Sequence, residues 1–327
     1  MAKVLGLGNA LVDLIINIED EKLLEKFQLP LGSMTLVDAV KASLVLEATK
    51  NLKFQVAAGG SASNTIDGLA QLGVECGYIG KIGHDPYGEL FREEMISRHI
   101  HPHLFYGKNQ TGTAITLLTP DAERTFATYL GAAIELSADD LGENHFSGYN
   151  YLHIEGYLVQ NERLITKALS LARKNGLKIS MDMASFNVVE THKDFLADAI
   201  KKNVDIVFAN EEEARALTGK KPEEALREIS NWCDITIVKI GKDGSWIKKG
   251  TDIVKVNGIQ AIPKDTTGAG DLYAAGFLYG LIQQFDLPTC GNIASLTGGK
   301  VVEVYGARME EQRWEAIRSS IRDIVNG

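Results

Sequence analysis

The chain has 327 residues, more than one hydrophobic core usually serves, so a large unit carrying a smaller one is expected. Hydrophobic residues make up 45% and charged residues 24%, an ordinary globular balance. The net charge of −9 argues against nucleic acid or an anionic membrane as partner, since both call for a basic surface.

No run approaches the ~20 apolar residues of a membrane span. The apolar stretch Val4 to Ile18 is broken by Asn9 and Asp13 and lacks a basic start, so it does not read as a signal peptide. Cys76, Cys233 and Cys290 are far apart and form no metal-like spacing. They read as buried structural thiols of a reduced compartment, and a cytoplasmic protein is expected.

Val4-Leu5-Gly6-Leu7-Gly8 reads as a buried strand running into Asn9-Ala10-Leu11-Val12-Asp13. Gly6, Gly8 and Leu11 spell Gly-x-Gly-x-x-Leu, a dinucleotide fingerprint without its third glycine. Asn9 and Asp13 either satisfy a local turn or recognise hydroxyls beyond a strand end. Glu19 to Leu29 reads as a surface helix, 34–37 as a short strand and 38–52 as another helix. Residues 57–64 open a helix to Leu72, where Gly59-Gly60 permits close approach to a ligand and Ser61 or Ser63 can cap.

Thr111 to Thr119 alternates as a strand, Pro120-Asp121-Ala122-Glu123 turns, and Arg124 to Leu130 returns. Arg124 reads as an ordinary turn-flanking charge rather than a ligand contact. His99, His101 and His103 alternate like a strand face, but Pro102 intervenes, and a surface cluster is expected rather than a metal site.

From Asn150 onward strands and helices alternate. Strands are expected at 151–154, 178–182, 206–209 and 236–239, with helices at 161–175, 195–203 and 211–217. Such alternation implies right-handed βαβ units and a parallel sheet covered on both faces. Ligands of such sheets sit beyond the strands' C-terminal ends, where Asn9, Gly59, Tyr157, Asp182, Asn210 and Gly241 could share one crevice.

Asp265-Thr266-Thr267-Gly268-Ala269-Gly270-Asp271 then leads into an apolar helix with Ala274, Phe277 and Leu278 at helical spacing. The loop alone fits a helix cap. It equally fits an anion cradle at a helix N-terminus with Asp271 as a base beside it.

Asp265 to Asp271 resembles the second signature, Asp-Thr-x-Gly-Ala-Gly-Asp, of the phosphofructokinase-B (PfkB), or ribokinase-like, kinase family, with every fixed position present. Gly59-Gly60 with Asn64, then Leu72-Gly73 and 79–88 with its Gly-x-Asp-x-x-Gly, resemble the first signature. Asn9-Ala10-Leu11-Val12-Asp13 is similar to the Asn-x-Leu-x-Asp element of adenosine kinases.

The resemblance implies roles. Asp271 would be the catalytic base, and the amides of Gly268, Ala269 and Gly270 an anion hole. Asn9, Leu11, Asp13, Gly59, Gly60 and Asn64 would bind the acceptor, with Tyr157 and Phe186 near its base. Asn210 and Glu213 match the family's Asn-x-x-Glu, which organises magnesium through water. Lys239, Gly241 and Gly244 match the nucleotide loop, although Lys239 stands where Ser or Thr is usual. Thr267 and Ser295 would also contact ATP, and Asp265 with Thr267 would frame a potassium ion.

The expectation is therefore one ribokinase-like α/β domain over 1–327. It would have a mostly parallel central sheet, helices on both faces and a small β lid from about 12–18, 33–37 and 111–130. The expected activity is ATP- and magnesium-dependent phosphorylation of a primary hydroxyl on a nucleoside or sugar, adenosine favoured over ribose or fructose. A monomer or homodimer is expected, with no nucleic-acid or membrane partner. The rivals are a non-catalytic sugar- or nucleotide-binding protein, which intact Asp271 disfavours, and a dinucleotide oxidoreductase, which the broken glycine fingerprint disfavours.

Overall fold

A computed structural model describes residues 2–120 and 123–326. The turn expected at 120–123 therefore lies partly outside the described residues, at Asp121 and Ala122. The main sheet has nine strands. From one edge they run Asp252–Val256, Ser245–Lys249, Ile235–Lys239, Ile206–Asn210, Lys178–Asp182, Tyr151–Glu155, Val4–Leu7, Cys76–Ile82 and Ile100–Tyr106. All neighbours are parallel from Ile235–Lys239 to Ile100–Tyr106, and the remaining two strands are antiparallel.

Strand side chains alternate between two buried clusters, one on each face. Val4, Ile206 and Phe208 enter one; Leu5, Leu7, Val207 and Ala209 enter the other. Helices cover both faces because each cluster must be closed from water. The strand order reverses beside Val4–Leu7, between Tyr151–Glu155 on one side and Cys76–Ile82 on the other. A crevice opens beyond the C-terminal ends of strands at such a reversal.

A second sheet of five strands has the order Met34–Leu36, Arg124–Tyr129, Gly112–Leu118, Leu11–Asn17, Phe54–Gly59. The sequence offers only a strand-like run ahead of Gly59, which the structure makes the strand Phe54–Gly59. Its Phe-Gln-Val-Ala-Ala-Gly run lacks clear alternation, and its antiparallel partner, Leu11–Asn17, lies some forty residues earlier. In this pairing Leu11 stands opposite Gly59 and Asp13 opposite Ala57.

Other local expectations also shift. The helix expected at 19–29 is only Lys22–Lys26, because Glu21 gives no side-chain cap and Pro30 follows. Helices Phe186–Thr191 and Pro222–Ile229 were not anticipated. Asp85 of the Gly-x-Asp-x-x-Gly element caps helix Pro86–Ser97, accepting from Gly88 N–H at 2.9 Å and Thr111 N–H at 2.6 Å. Among the described residues no helix is long and apolar enough to cross a membrane.

Candidate active site

The loop 265–268 leads into helix Ala269–Ile282, and Gly268 stands at its N-cap with φ +76°. A side chain there would be strained, and a Cβ would lie 2.6 Å from that of Ala307. Asp271 occupies the helix's first turn. Its carboxylate accepts from Ser61 Oγ at 2.7 Å and Asn64 Nδ2 at 2.9 Å. Both donors sit at the start of helix Ser61–Gln71, so two helix N-termini converge on one carboxylate. Burial raises the Asp271 pKa to about 6, against the lowering effect of the Asn64 and Ser61 hydrogen bonds.

The N-terminal amides are not equivalent. Ala269 N–H is committed to Thr266 O at 3.2 Å, while among the described residues the amides of Gly268 and Gly270 have no such partner. Helix ends leave these donors for a ligand or water.

Asn9 does not point freely into the crevice. Its Nδ2 donates to Glu155 Oε1 at 2.6 Å and its N–H to the same oxygen at 2.9 Å, while Glu155 Oε2 accepts from Ala62 N–H at 2.9 Å. Glu155 thus joins the Val4–Leu7 strand end to the Ser61 helix. Burial pushes its pKa up to about 7. Asp13 lies against Gly59, where a side chain would collide with its carboxyl. Burial raises Asp13 to about 7, Arg308 lowers it and Asp271 raises it further. Among the described residues nothing hydrogen-bonds the Asp13 carboxyl. Leu11 starts the same strand, and Gly60, with φ +92°, joins Gly59 to the Ser61 helix.

On the opposite side Lys239 Nζ donates to Asp182 Oδ2 at 2.8 Å, and Asp182 Oδ1 accepts from Ala184 N–H at 3.0 Å. Burial pushes the Asp182 carboxyl up, yet Lys239 outweighs it and holds the group below its usual range. Asn210 and Glu213 form a capping box: Glu213 accepts from Asn210 N–H at 2.8 Å and Nδ2 at 2.7 Å. Burial and then Asp182 raise Glu213 to about 7. Gly241 and Gly244 flank the turn after Ile235–Lys239. Ser295 is buried on helix Leu287–Val301, which packs against Asp252–Val256.

Tyr157 Oη donates to Ala184 O at 3.3 Å, and Phe186 follows two residues later, 41% exposed. Among the described residues the two rings do not touch each other.

Arg124 departs from the expectation of a solvated charge. It pairs with Asp265, donates to the Thr267 hydroxyl, and reaches Thr266 Oγ1 at 2.7 Å. Asp265 also accepts from Thr267 N–H at 2.6 Å and Gly306 N–H at 2.7 Å. Local sequence carries no sign of this pair, because the second sheet folds over the loop from a distant segment. Arg308 was likewise missed. It is half-buried, donating to Ala58 O at 2.8 Å and Ser63 Oγ at 2.9 Å and pairing with Asp67 at 2.8 Å. Its one sequence signal is its place directly after Gly306-Ala307. The histidines at 101 and 103 sit on the edge strand Ile100–Tyr106, with His103 Nε2 3.0 Å from Tyr149 Oη.

Residues 31–313 match the family described as pfkB family carbohydrate kinase. An uncharacterized sugar kinase of Archaeoglobus fulgidus is 30% identical over 249 residues, covering 74% of this chain and 96% of its own. The 5-dehydro-2-deoxygluconokinase of Clostridium perfringens is 27% identical over 326 residues, covering 93% and 94%. The adenosine kinase from Sinorhizobium meliloti superposes with a TM-score of 0.88 at 32% identity over 98% of this chain and 99% of its own. A probable sugar kinase from Rhizobium etli gives the same TM-score at 33% identity over 98% and 99%. The ribokinase-like α/β architecture expected from the motifs is therefore the one observed. With its glycine loop, its clamped carboxylate and this match over most of its length, the chain belongs to the PfkB family of carbohydrate kinases, enzymes that phosphorylate hydroxyl groups.

Proposed function

We propose that this kinase transfers the γ-phosphoryl group of ATP to a primary hydroxyl of a nucleoside or sugar, with adenosine the favoured acceptor. One observation carries the reading. Asp271 is clamped at a helix start by Ser61 and Asn64, while the carboxyl of Asp13 lies near enough to feel its charge.

In the step, the acceptor oxygen bonds to Pγ as the bond from Pγ to the β–γ bridging oxygen breaks. That electron pair leaves on ADP, and the acceptor proton passes to Asp271. Charge spreads over the transferring oxygens, so positioning and electrostatics do most of the catalysis. The free amides of Gly268 and Gly270 would meet that charge, with Thr267 beside them. Asp13 grips acceptor hydroxyls; Asn9, Gly59 and Gly60 shape that end of the crevice. Gly241, Gly244, Asn210 and Ser295 take the nucleotide.

Asp182 pairs with the Lys239 ammonium, and the charges of Glu213 and Asp271 also act on it; this excess of carboxylates supports a divalent cation nearby. Glu213, through water, is the side chain assigned to magnesium, which would offset phosphate charge. Among the described residues no three His, Cys, Asp or Glu side chains converge to hold an ion by themselves. The ion would then depend on phosphate oxygens and water. Potassium enters this reading as a competitor of Arg124 for Asp265 and Thr267. The −9 charge supports a small-molecule acceptor without nucleic-acid or membrane partners. A cytoplasmic monomer or homodimer completes the proposal.

Leu11, Tyr157 and Phe186 support a slot for a flat base. A sugar acceptor is the second reading, supported by the exposure of Phe186, which leaves that slot open on one side. ADP release with ATP and magnesium across adenosine, other nucleosides, ribose and fructose tests both. Adenosine should show the highest kcat/KM. Fast turnover of ribose or a hexose with none of adenosine would overturn the nucleoside assignment; no turnover of any acceptor would overturn both.

A further inference from the structure

Lys239 ends the strand Ile235–Lys239, and its ammonium is held in place from behind. Its side chain is 15% exposed and donates to Asp182 at 2.8 Å. The other oxygen of Asp182 is fixed by the amide of Ala184, which adopts φ +68°, an uncommon conformation for a residue with a Cβ. A strained backbone position is thus spent on orienting the partner of one lysine.

An ammonium has three donors, and Asp182 is its one hydrogen-bond partner among the described residues. The remaining donors face the start of helix Ala269–Ile282. A Cβ on Gly270 would lie 3.0 Å from Nζ. Burial works against the charge, but Asp182 and Glu213 outweigh it and hold the lysine above its usual range. The group therefore stays charged throughout the working pH range.

We propose that Lys239 is a catalytic residue that donates to the phosphoryl group during transfer, at the same helix start whose amides receive it. The inference rests on the kinase reading above. Lys239 neither gives nor takes a proton: the acceptor proton goes to Asp271 and the electron pair leaves on ADP. A full positive charge beside dipolar amides, in a site largely shielded from water, favours charge that develops in the transition state over charge already spread along ATP. A side chain at position 270 would press on the ammonium, which would have to give way by a few tenths of an ångström. The competing account is that Lys239 merely neutralises buried Asp182.

The test compares wild type with Lys239→Met, Asp182→Asn/Lys239→Met and Gly270→Ala in the full chain. Turnover of the best acceptor is one readout. The other is affinity for magnesium–ADP with and without aluminium fluoride, a stand-in for the phosphoryl group in flight. Lys239→Met should keep its affinity for magnesium–ADP within about threefold yet lose roughly 10²–10³ in kcat and most of the gain from fluoride. The double variant, which leaves no unpaired buried charge, should remain as slow, and Gly270→Ala should lose about tenfold. Recovery of the double variant to within threefold of wild type would overturn the proposal, as would equal weakening of ADP with and without fluoride. A wild type that gains from fluoride but turns over no acceptor would sink the acceptor assignment alone, and the binding comparison would still decide Lys239.

Discussion

Arg124 and Asp265 are 141 residues apart in sequence and form an ion pair between the second sheet and the loop that starts helix Ala269–Ile282. Asp265 is 3% exposed, and the amides of Thr267 and Gly306 complete its surroundings. The pair fastens the second sheet to the loop where phosphoryl transfer is proposed.

Arg124→Ala would leave Asp265 buried without its counter-charge, a loss of about 3 kcal/mol or more for such pairs. Its melting temperature should fall, and Arg124→Ala/Asp265→Asn should recover part of the loss. Potassium should raise the turnover of Arg124→Ala more than that of wild type, because the carboxylate is then vacant. Identical potassium responses would reject competition at this site.

Asp271→Asn should lose roughly 10²–10⁴ in turnover, since the amide cannot take the acceptor proton. Affinity for ADP, measured by calorimetry, should hardly change. In wild type kcat/KM should fall as pH drops through about 6, the pKa to which burial raises Asp271. Ser61→Ala removes a bond that favours the charged form, so its acid limb should move to higher pH. An acid limb unmoved in Ser61→Ala would break the link between that limb and Asp271.

Asp13 has a folded pKa near 7, above its ordinary 3.8, chiefly because it is buried. The folded state therefore holds the proton more tightly than the unfolded state. Its contribution makes the protein more stable as pH falls from above 7 toward 4, the reverse of a salt-bridged carboxylate. Asp13→Asn should raise the melting temperature at pH 8, leave it nearly unchanged at pH 4, and flatten the slope between. Acceptor affinity should drop at least about tenfold, given roughly 1.5–3 kcal/mol per charge-assisted bond. Calorimetric melting and acceptor titration would show whether the two effects travel together; a destabilised variant at pH 8 would count against the assignment.

Tyr157→Ala should erode the preference for adenosine over ribose and fructose more than it slows either sugar. Base stacking on an aromatic ring is worth on the order of 1–3 kcal/mol. Equal losses in kcat/KM for all acceptors would remove Tyr157 from the base slot.

What was legible in the sequence was local. The seven residues 265–271 and the strands between 151 and 239 announce themselves through glycine placement and short apolar runs. Asp271 could be picked out as a carboxylate at a helix start, but not its clamp, because Ser61 lies 210 residues away. The Asn9–Glu155 and Arg124–Asp265 contacts were hidden for the same reason. Lys239 was legible as part of the nucleotide loop and as a departure from its usual Ser or Thr, but its approach to Gly270 and Asp182 was not. Phe54–Gly59 became a strand because Leu11–Asn17 offered it an open edge, a property of the partner rather than of the segment.

The second sheet meets the main body through very short connections. Residues 8–10 separate Val4–Leu7 from Leu11–Asn17, and Gly60 alone separates Phe54–Gly59 from helix Ser61–Gln71. Leu11 and Asp13, paired opposite Gly59 and Ala57, are thus held one residue away from the helix turn that carries Ser61 and Asn64. Under the proposed function, the acceptor end of the crevice and the Ser61–Asn64 clamp on Asp271 would share that single joint.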